Sequence, residues 1–405
     1  MACLECHSGS APASHAPLNA LISRTCEPRG RGTALDIGQG VRIRARNPVT
    51  EEKPSAMSRR PTPLPLIVTL LACLLAACGG GTPAPRIRKN AKDLTATERQ
   101  DLVEAILKLK ATPSPYTPGV SYYDQFVLFH KEAFNYSMSA EHHVAHAHPT
   151  VLPWHRKMLL LFEDALREVS GKDITLPYWD WTDPESTRAI FSESFMGTQG
   201  DASQEYAVTN GPFRKGNWTI NIFSDRPDGL AQTPHPHLVR ATGRYEADVN
   251  DTIHLPTAEE VAFGLSIPTF DVYPWNDKSP RERSFRNYLE GFDPERPGYF
   301  HMHNMVHTWV AGHFRLEDGS ERWGTMGAPD VSPNDPVFYL HHANVDRVWA
   351  QWEELHPGVY EDGDGHNSHH AAMYPFGEYA NERMSAHGLD ALSMLDTRAL
   401  GYLYQ

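Results

Sequence analysis

The chain has 405 residues, of which 40% are hydrophobic and 21% are charged, so it can bury at least one large core. Residues 79–405 carry 28 Lys and Arg against 45 Asp and Glu, and this acidic excess argues against nucleic acid as a partner. All five cysteines precede residue 79, so we expect neither disulfides nor thiolate ligands in the acidic body, and any metal there must be bound by His, Asp or Glu.

The first 87 residues divide into an extension (1–56), an export signal (57–78) and a linker (79–87). The signal begins with Met57, continues with two arginines and an apolar run that is too short to span a bilayer, and ends at Cys78. Its last residues, "LAAC", resemble the lipobox of bacterial lipoproteins, which implies lipidation of Cys78. A buried helix is the alternative interpretation.

Because export signals stand at the start of a chain, we expect Met57 to be the initiator and residues 1–56 to be disordered or mis-called sequence. A lipidated Cys78 followed by a short flexible linker would tether the body to a membrane surface without spanning it. The expected location is therefore the bacterial cell envelope, at the outer membrane or the periplasmic face.

The elements of the body, in chain order, are mainly helical. A capping box from Thr95 to Glu98 opens the first helix, and the next one, "YYDQFVLFHKEAF", places His130 on an apolar stripe. Pro153 suits the first turn of a third helix, which ends at Gly171. Residues 181–280 are rich in Pro, Gly, Asn and Asp and predict long loops.

Helical patterns resume in "HNMVHTWV" and in "SPNDPVFYLHHANVDRVWAQWEEL", with Asp335 as N-cap, Pro336 at the first helical position and an end before Pro357. We therefore predict a mainly α catalytic domain over residues 88–405. Its expected architecture is a central four-helix bundle with long irregular loops and few short strands.

The predicted helices place several histidines on their core-facing sides. His303 and His307 are one turn apart and can share a metal, while His342 stands one turn before Asp346, which could orient a ligand or a neighbour. Further histidines occupy core-facing helical positions or their connection: His130, His155 and His146. Six imidazoles suffice for two three-coordinate metals with open positions. A hydrogen-bonded core residue is the alternative for each histidine alone.

An imidazole set without carboxylates suits copper best among Cu, Zn, Fe and Ni, since hydrolytic dinuclear sites usually add bridging carboxylates. Two adjacent coppers can supply two electrons to dioxygen, which is oxidase chemistry. A dinuclear zinc hydrolase remains an alternative. Spacing alone does not choose His146 over His148, or His342 over His341.

Several segments resemble the copper A and copper B regions of tyrosinases, the type 3 copper phenol oxidases: "FVLFH", "HAHPTVLPWHR", "LPYWDW", "HNMVHTWVAG" and "SPNDPVFYLHHANVDRVW". The resemblance covers about residues 86–405. It implies a first copper on His130, His146 and His155, a second on His303, His307 and His342, and supporting positions for His341 and Asp346.

The resemblance also implies an activity: dioxygen-dependent ortho-hydroxylation of monophenols and oxidation of o-diphenols to o-quinones. The implied partners are O2, small phenols and, as a candidate, a copper-loading chaperone. Alternatives are a catechol or o-aminophenol oxidase without monophenolase activity, and an oxygen carrier of hemocyanin type.

In the family a Glu and an Asn together hold a water that helps to deprotonate the phenol. Glu290 in "FRNYLEGF" and Asn304 are the matching residues, although five extra residues separate Glu290 from His303. A solvated helix-end charge is the alternative for Glu290. Thr308 and Phe338 match positions at the substrate pocket.

The closing "YLY", residues 402–404, resembles the motif that ends the family's catalytic domain. We therefore expect no shielding domain in cis. We also expect Arg86 or Arg88 to pack near this C-terminal segment, as the domain's ends do in the family.

Overall fold

The computed structural model describes residues 84–139, 144–226, 235–245, 253–360 and 372–405. The predicted extension, the export signal with Cys78 and most of the linker lie outside these ranges. Residues from Pro85 to Gln405 belong to one compact unit. No helix in the described ranges combines the length and apolar character needed to cross a membrane.

Helices make up most of the regular structure in the described residues and are joined by long irregular segments, so the prediction of a mainly α body is confirmed. The helices are α1 (Ala96–Ala111), α2 (Tyr122–Ser139), α3 (Val151–Ser170), α4 (Pro184–Ile190), α5 (Ala258–Ser266), α6 (Phe285–Glu290), α7 (Met302–Ala311), α8 (Val337–Leu355) and α9 (Glu382–Ser385). Short 3-10 turns supplement them, among them Pro329–Asn334, which leads into α8.

Local capping explains several of these bounds. The capping box between Thr95 and Glu98 opens α1 as predicted, and Gly171 ends α3 in the left-handed conformation, at φ 70°. Asp335 accepts a hydrogen bond from the Val337 N–H at 3.0 Å, although helical geometry begins one residue later than predicted. The predicted end of α8 before Pro357 is confirmed.

The described part of residues 181–280 forms long loops with little regular structure, as predicted, and two short helices lie among them. Asp183 caps α4, which has Pro184 in its first turn, and a second capping box, between Thr257 and Glu260, opens α5. Both helices are short, and α5 is only partly buried, so the surrounding Pro and Gly residues dominate the sequence pattern.

In the part of the chain that the structure describes, four strands of three residues each form two small sheets: β1 (Arg86–Arg88), β2 (His313–Arg315), β3 (Glu321–Trp323) and β4 (Tyr402–Tyr404). β1 pairs in parallel with β4, placing Arg86 opposite Tyr402. The guanidinium of Arg88 stacks 3.9 Å from the centroid of the Tyr402 ring. The prediction that Arg86 or Arg88 packs near the C-terminal segment is therefore confirmed.

A large hydrophobic core holds the helices that carry the candidate site. α3 packs against α1 and α8, α7 packs against α8, and α2 packs against the Pro329–Asn334 turn. Phe162 of α3 stacks on Tyr339 of α8 with ring centroids 3.5 Å apart, and Tyr123 of α2 meets Tyr339 edge to face. This aromatic packing fixes α2, α3 and α8 relative to one another, immediately behind the histidines.

Candidate dinuclear metal site

The first histidine cluster joins α2, α3 and the segment between them. His130 and His155 lie on the buried faces of α2 and α3, and His146 lies between the two helices in the chain. One nitrogen from each ring lies within 4.8 Å of the corresponding nitrogens of the other two. The three residues predicted for the first metal are therefore brought together.

The second cluster joins α7 and α8. His303 and His307 project from the same face of α7, as their spacing predicts, and His341 and His342 approach them from α8. Ligand nitrogens of all four lie within 4.8 Å of one another. The cluster thus contains the three residues predicted for the second metal and one additional imidazole, His341.

The two clusters adjoin. The His155 and His342 rings are stacked with centroids 4.2 Å apart, and His155 lies 6.4 Å from His303. Phe338, one turn before His342, is buried between the clusters and contacts both His130 (5.3 Å) and His342 (4.1 Å). Two ions held by these clusters would be neighbours.

Backbone carbonyls orient four of the rings. A carbonyl oxygen only accepts, so the Nδ1 atom facing it carries the proton, and Nε2 keeps its lone pair for a metal. The Nδ1–carbonyl pairs are His130 with Asp330 (2.9 Å), His155 with Val151 (2.8 Å), His307 with Met326 (3.3 Å) and His303 with Glu290 (3.3 Å).

The remaining nitrogens fit metal coordination. The Nε2 atoms of His130, His155 and His307 are buried and find no hydrogen-bond partner among the described residues. The Nε2 atoms of His303 and His342 face each other at 3.3 Å. Imidazole nitrogens that share one tetrahedral ion at about 2.0 Å are about 3.3 Å apart. Buried polar atoms normally find partners, so the arrangement is explained by bound metal ions.

Burial also keeps these imidazoles neutral, the form that binds metals. Desolvation lowers the pKa of His130 and of His303 to about 4. The pKa values of the other cluster members are lowered well below the ordinary value, first by burial and then by neighbouring histidines: His146, His155, His307, His341 and His342.

Spacing left two choices open, His146 or His148 and His341 or His342. The geometry favours one residue in the first choice and brings both residues into the site in the second. His148 is buried, but its Nδ1 is engaged locally with the Thr150 hydroxyl (2.9 Å), and it stands outside the first cluster. This favours His146. His341 and His342 both belong to the second cluster, and His342 is the one that contacts the first cluster.

Glu290 connects the two halves of the site. Its carboxylate accepts a hydrogen bond from the backbone N–H of Ala147, next to His146, at 2.5 Å, and one from Arg286 at 3.0 Å. Its carbonyl faces His303. Burial raises the pKa of Glu290 to about 7, against the opposing effects of Arg286 and the Ala147 N–H. The alternative of a solvated charge at a helix end is excluded, because only 2% of Glu290 is exposed.

The extra residues between Glu290 and His303 form a closed turn. Residues 292 and 300 pair in an antiparallel bridge, and the His301 N–H donates to the Gly291 carbonyl at 3.0 Å. The two ends of the turn therefore meet, and Glu290 stays beside α7. Asn304 accepts from His303 Nδ1 at 2.9 Å, while its amide nitrogen is buried without a partner in the described ranges.

Thr308 is half-buried on α7, one residue after His307, and its hydroxyl donates to the Asn304 carbonyl at 3.0 Å. This bond keeps the Thr308 hydroxyl on the backbone of its own helix. The position next to the second cluster is thus occupied by a small side chain, as the sequence predicts.

Asp346 fastens the ends of the domain to the site helices. Its carboxylate makes no hydrogen bond to His342; it receives Arg156, the residue after His155, at 2.5 Å. Its other partners are Arg88 (3.2 Å), Tyr402 (2.7 Å) and Tyr404 (2.5 Å). Asp346 therefore acts on the neighbours of the ligands, which is the second of the two roles considered for it.

The comparison with known proteins follows this geometry. The common central domain of tyrosinase matches residues 120–355, which include every histidine of both clusters. The chain belongs to the tyrosinase family. It is 38% identical over 275 residues to the tyrosinase of Streptomyces glaucescens, covering 67% of this chain and 84% of that one.

Other relatives agree on family and fold. A grixazone synthase from Streptomyces griseus is 36% identical over 292 residues, covering 67% of this chain and 86% of its own length. The structure of a polyphenol oxidase variant from Thermothelomyces thermophila has a TM-score of 0.51 at 22% identity, covering 83% of this chain and 93% of that one. The latter establishes a shared tyrosinase fold and no more.

Sequence reasoning missed several groups of this tyrosinase site. Arg286 and the Ala147 N–H hold the Glu290 carboxylate, and the carbonyls of Asp330 and Met326 orient His130 and His307. The carbonyls and the N–H carry no side-chain signal. Arg286 could have been found, because it stands one helical turn before Glu290 in "FRNYLEGF".

Proposed function

We propose that this protein oxidises phenols with dioxygen at two bound copper ions. It hydroxylates monophenols at the ortho position and oxidises o-diphenols to o-quinones. The observation that carries the proposal is the pair of adjoining buried histidine clusters, whose metal-facing nitrogens have no partner outside the clusters in the described part of the chain. Membership of the tyrosinase family identifies the metal as copper and the substrates as phenols.

The six histidines of the predicted set would hold the copper: His130, His146 and His155 on one ion, and His303, His307 and His342 on the other. When bound there, the two ions supply the electrons and the oxygen activation that phenol oxidation requires. The protein holds the imidazoles neutral and oriented through backbone carbonyls, so no proton has to leave them as a metal binds.

Glu290 and Asn304 are the proposed proton-handling pair. A phenol has a pKa near 10, so little phenolate exists at neutral pH, and a base positioned near the phenol accelerates its deprotonation. The free amide nitrogen of Asn304 is a donor for a water, and the Glu290 carboxylate, with a pKa of about 7, can receive the proton that such a water relays. Ala147 and Arg286 keep that carboxylate in place.

Thr308 and Phe338 are the proposed pocket residues. Phe338 is 1% exposed and packs against rings of both clusters, so it sets the position of the histidines and limits how deep a substrate ring can enter. Thr308 stands next to His307 with a small side chain, which leaves room for a phenol.

The test combines metal analysis with product analysis on the purified full-length chain. We expect two coppers per chain, o-quinone from an o-diphenol at once, and o-quinone from tyramine or tyrosine after a lag. Quinone from diphenols alone would identify a catechol or o-aminophenol oxidase without monophenolase activity. Zinc in place of copper, or no quinone from either substrate class, would contradict the proposal.

We further propose that the protein is an exported cell-envelope lipoprotein anchored through Cys78, at the outer membrane or the periplasmic face. The support is the export-signal pattern of residues 57–78 alone. A Cys78→Ser variant should lose labelling by a fatty-acid analogue and leave the membrane fraction, whereas Cys73→Ser, inside the same apolar run, should keep both. Equal labelling of the two variants would contradict the anchor.

A further inference from the structure

His341 is a buried imidazole without hydrogen-bond partners among the residues that the structure describes. It has no exposed surface, and neither Nδ1 nor Nε2 has a partner in hydrogen-bond geometry; the backbone of His303 interacts with the ring outside that geometry. The ring stacks on His303 at 5.0 Å and meets His307 at 4.9 Å and Trp181 at 5.3 Å. An imidazole always offers one donor and one acceptor, and leaving both unmatched in the interior is costly. A metal ion would match one of them.

The position of His341 completes an alternative triad. His341 lies 5.0 Å and 4.9 Å from His303 and His307, whereas His342 lies 4.8 Å and 5.7 Å from the same two rings. His342 instead stacks on His155, and the planes of the two rings are nearly parallel, at 10°. A ligand nitrogen of His341 lies within 4.8 Å of those of the α7 pair, so the pair can share an ion with His341 as well as with His342.

We propose that His341 is a loading ligand for the second copper. It binds the incoming ion together with His303 and His307, and the ion then exchanges the His341 nitrogen for that of His342, which places it beside the first cluster. One copper–nitrogen bond forms as another breaks, and neither protons nor electrons change hands. The inference rests on the proposed function for the identity of the metal, and it adds a fourth histidine to the second site.

Copper transfer, measured without any substrate, tests this role. Copper-free full-length protein is mixed, in the absence of oxygen, with cuprous ion held by a chromogenic chelator, and the loss of chelator colour is followed. His341→Leu should still take up two coppers, but the phase belonging to the second cluster should slow about tenfold or more. That phase is identified by its absence in His307→Ala.

His148→Leu is the matched control, because His148 is also buried but is engaged with Thr150. It should lower the thermal midpoint of the copper-free protein and leave the uptake rate unchanged. His341→Leu should leave that midpoint unchanged or higher, since it removes two unmatched polar atoms. Unchanged uptake in His341→Leu, or a lower midpoint with normal uptake, would overturn the proposal and leave His341 a structural residue.

The outcomes separate this inference from the proposed function. If His341→Leu slows uptake while the loaded wild-type chain oxidises no phenol, the proposed function fails and the loading role stands. If phenols are oxidised and uptake is unaffected, only the loading role fails. A wild-type chain that takes up no copper would overturn both.

Discussion

Replacing Asp346 by Asn should destabilise the domain strongly, because one carboxylate serves four partners, three of them buried and the fourth, Tyr404, partly buried. It accepts from Arg88, Arg156, Tyr402 and Tyr404, and neither guanidinium has exposed side-chain surface. Removing one partner of a buried ion pair typically costs about 3–5 kcal/mol. Arg88 keeps Glu163, so the cost should lie near the lower end, about 3 kcal/mol. At about 2 °C per kcal/mol, the midpoint of thermal unfolding should fall by about 6 °C.

The pH dependence gives a second test of the same substitution. Burial alone would raise the pKa of Asp346, but Arg156, Arg88 and the Tyr404 hydroxyl outweigh it, so the pKa is lowered in the folded state. A carboxyl with a lowered folded-state pKa stabilises the fold above its unfolded-state pKa, near 3.9, and loses this contribution as pH falls through the folded-state value. The difference between wild type and Asp346→Asn should be constant from about pH 5 to 8 and shrink below about pH 4.

Urea unfolding measures the free-energy cost of the substitution and its dependence on pH. The copper-free proteins are used because bound copper would add stability by mass action. Glu168→Gln is the control: Glu168 pairs with Arg383 at the surface, and its loss should cost less than about 1 kcal/mol. A cost below about 1 kcal/mol for Asp346→Asn, or a difference that grows as pH falls, would refute the reasoning.

Three further predictions concern the metal site. In a steady-state assay, Glu290→Gln should lower the kcat for monophenols about 100-fold and that for diphenols less than about tenfold, because only monophenols depend on the assisted deprotonation. Equal losses for the two substrate classes would argue against a proton-handling role. Gly291→Ala should reduce the copper content measured by metal analysis, because Gly291 has a φ of 99° and an added Cβ would lie 2.0 Å from the His301 carbonyl oxygen. Full copper occupancy in this variant would contradict the prediction. Removing copper with a chelator should lower the thermal midpoint, because each bound ion stabilises the fold by about 4 kcal/mol when free copper is 1,000 times its Kd. Calorimetry that shows no shift would speak against both clusters as metal sites.

The sequence predicted those parts of the site that side-chain periodicity encodes. His303 and His307 share a face because they are one turn apart, and the apolar stripes of α2 and α3 place His130 and His155 inward. The capping residue of α1 was recognised for the same reason, since its signal is local in the chain.

The features that the sequence did not predict depend mostly on tertiary packing and on pairing between backbone atoms, which leave little or no pattern in the sequence. The membership of His341 in the second cluster is not encoded by spacing, since consecutive residues on a helix point about 100° apart and tertiary packing decides which of them reach a shared centre. The position of Glu290 after an extra turn depends on the bridge between residues 292 and 300, which pairs residues brought together by folding. α5 escaped notice because a nine-residue helix amid Pro and Gly gives a weak pattern.

One short stretch of backbone governs both halves of the site. The carbonyl of Asp330 orients His130 in the first cluster, and the carbonyl of Met326, four residues earlier, orients His307 in the second. A shift of this stretch would turn both imidazoles together, so a change in one loop would reach a ligand of each cluster at once. Attempts to redesign the reactivity of this centre can therefore begin outside the ligands, with the length and stiffness of residues 325–335.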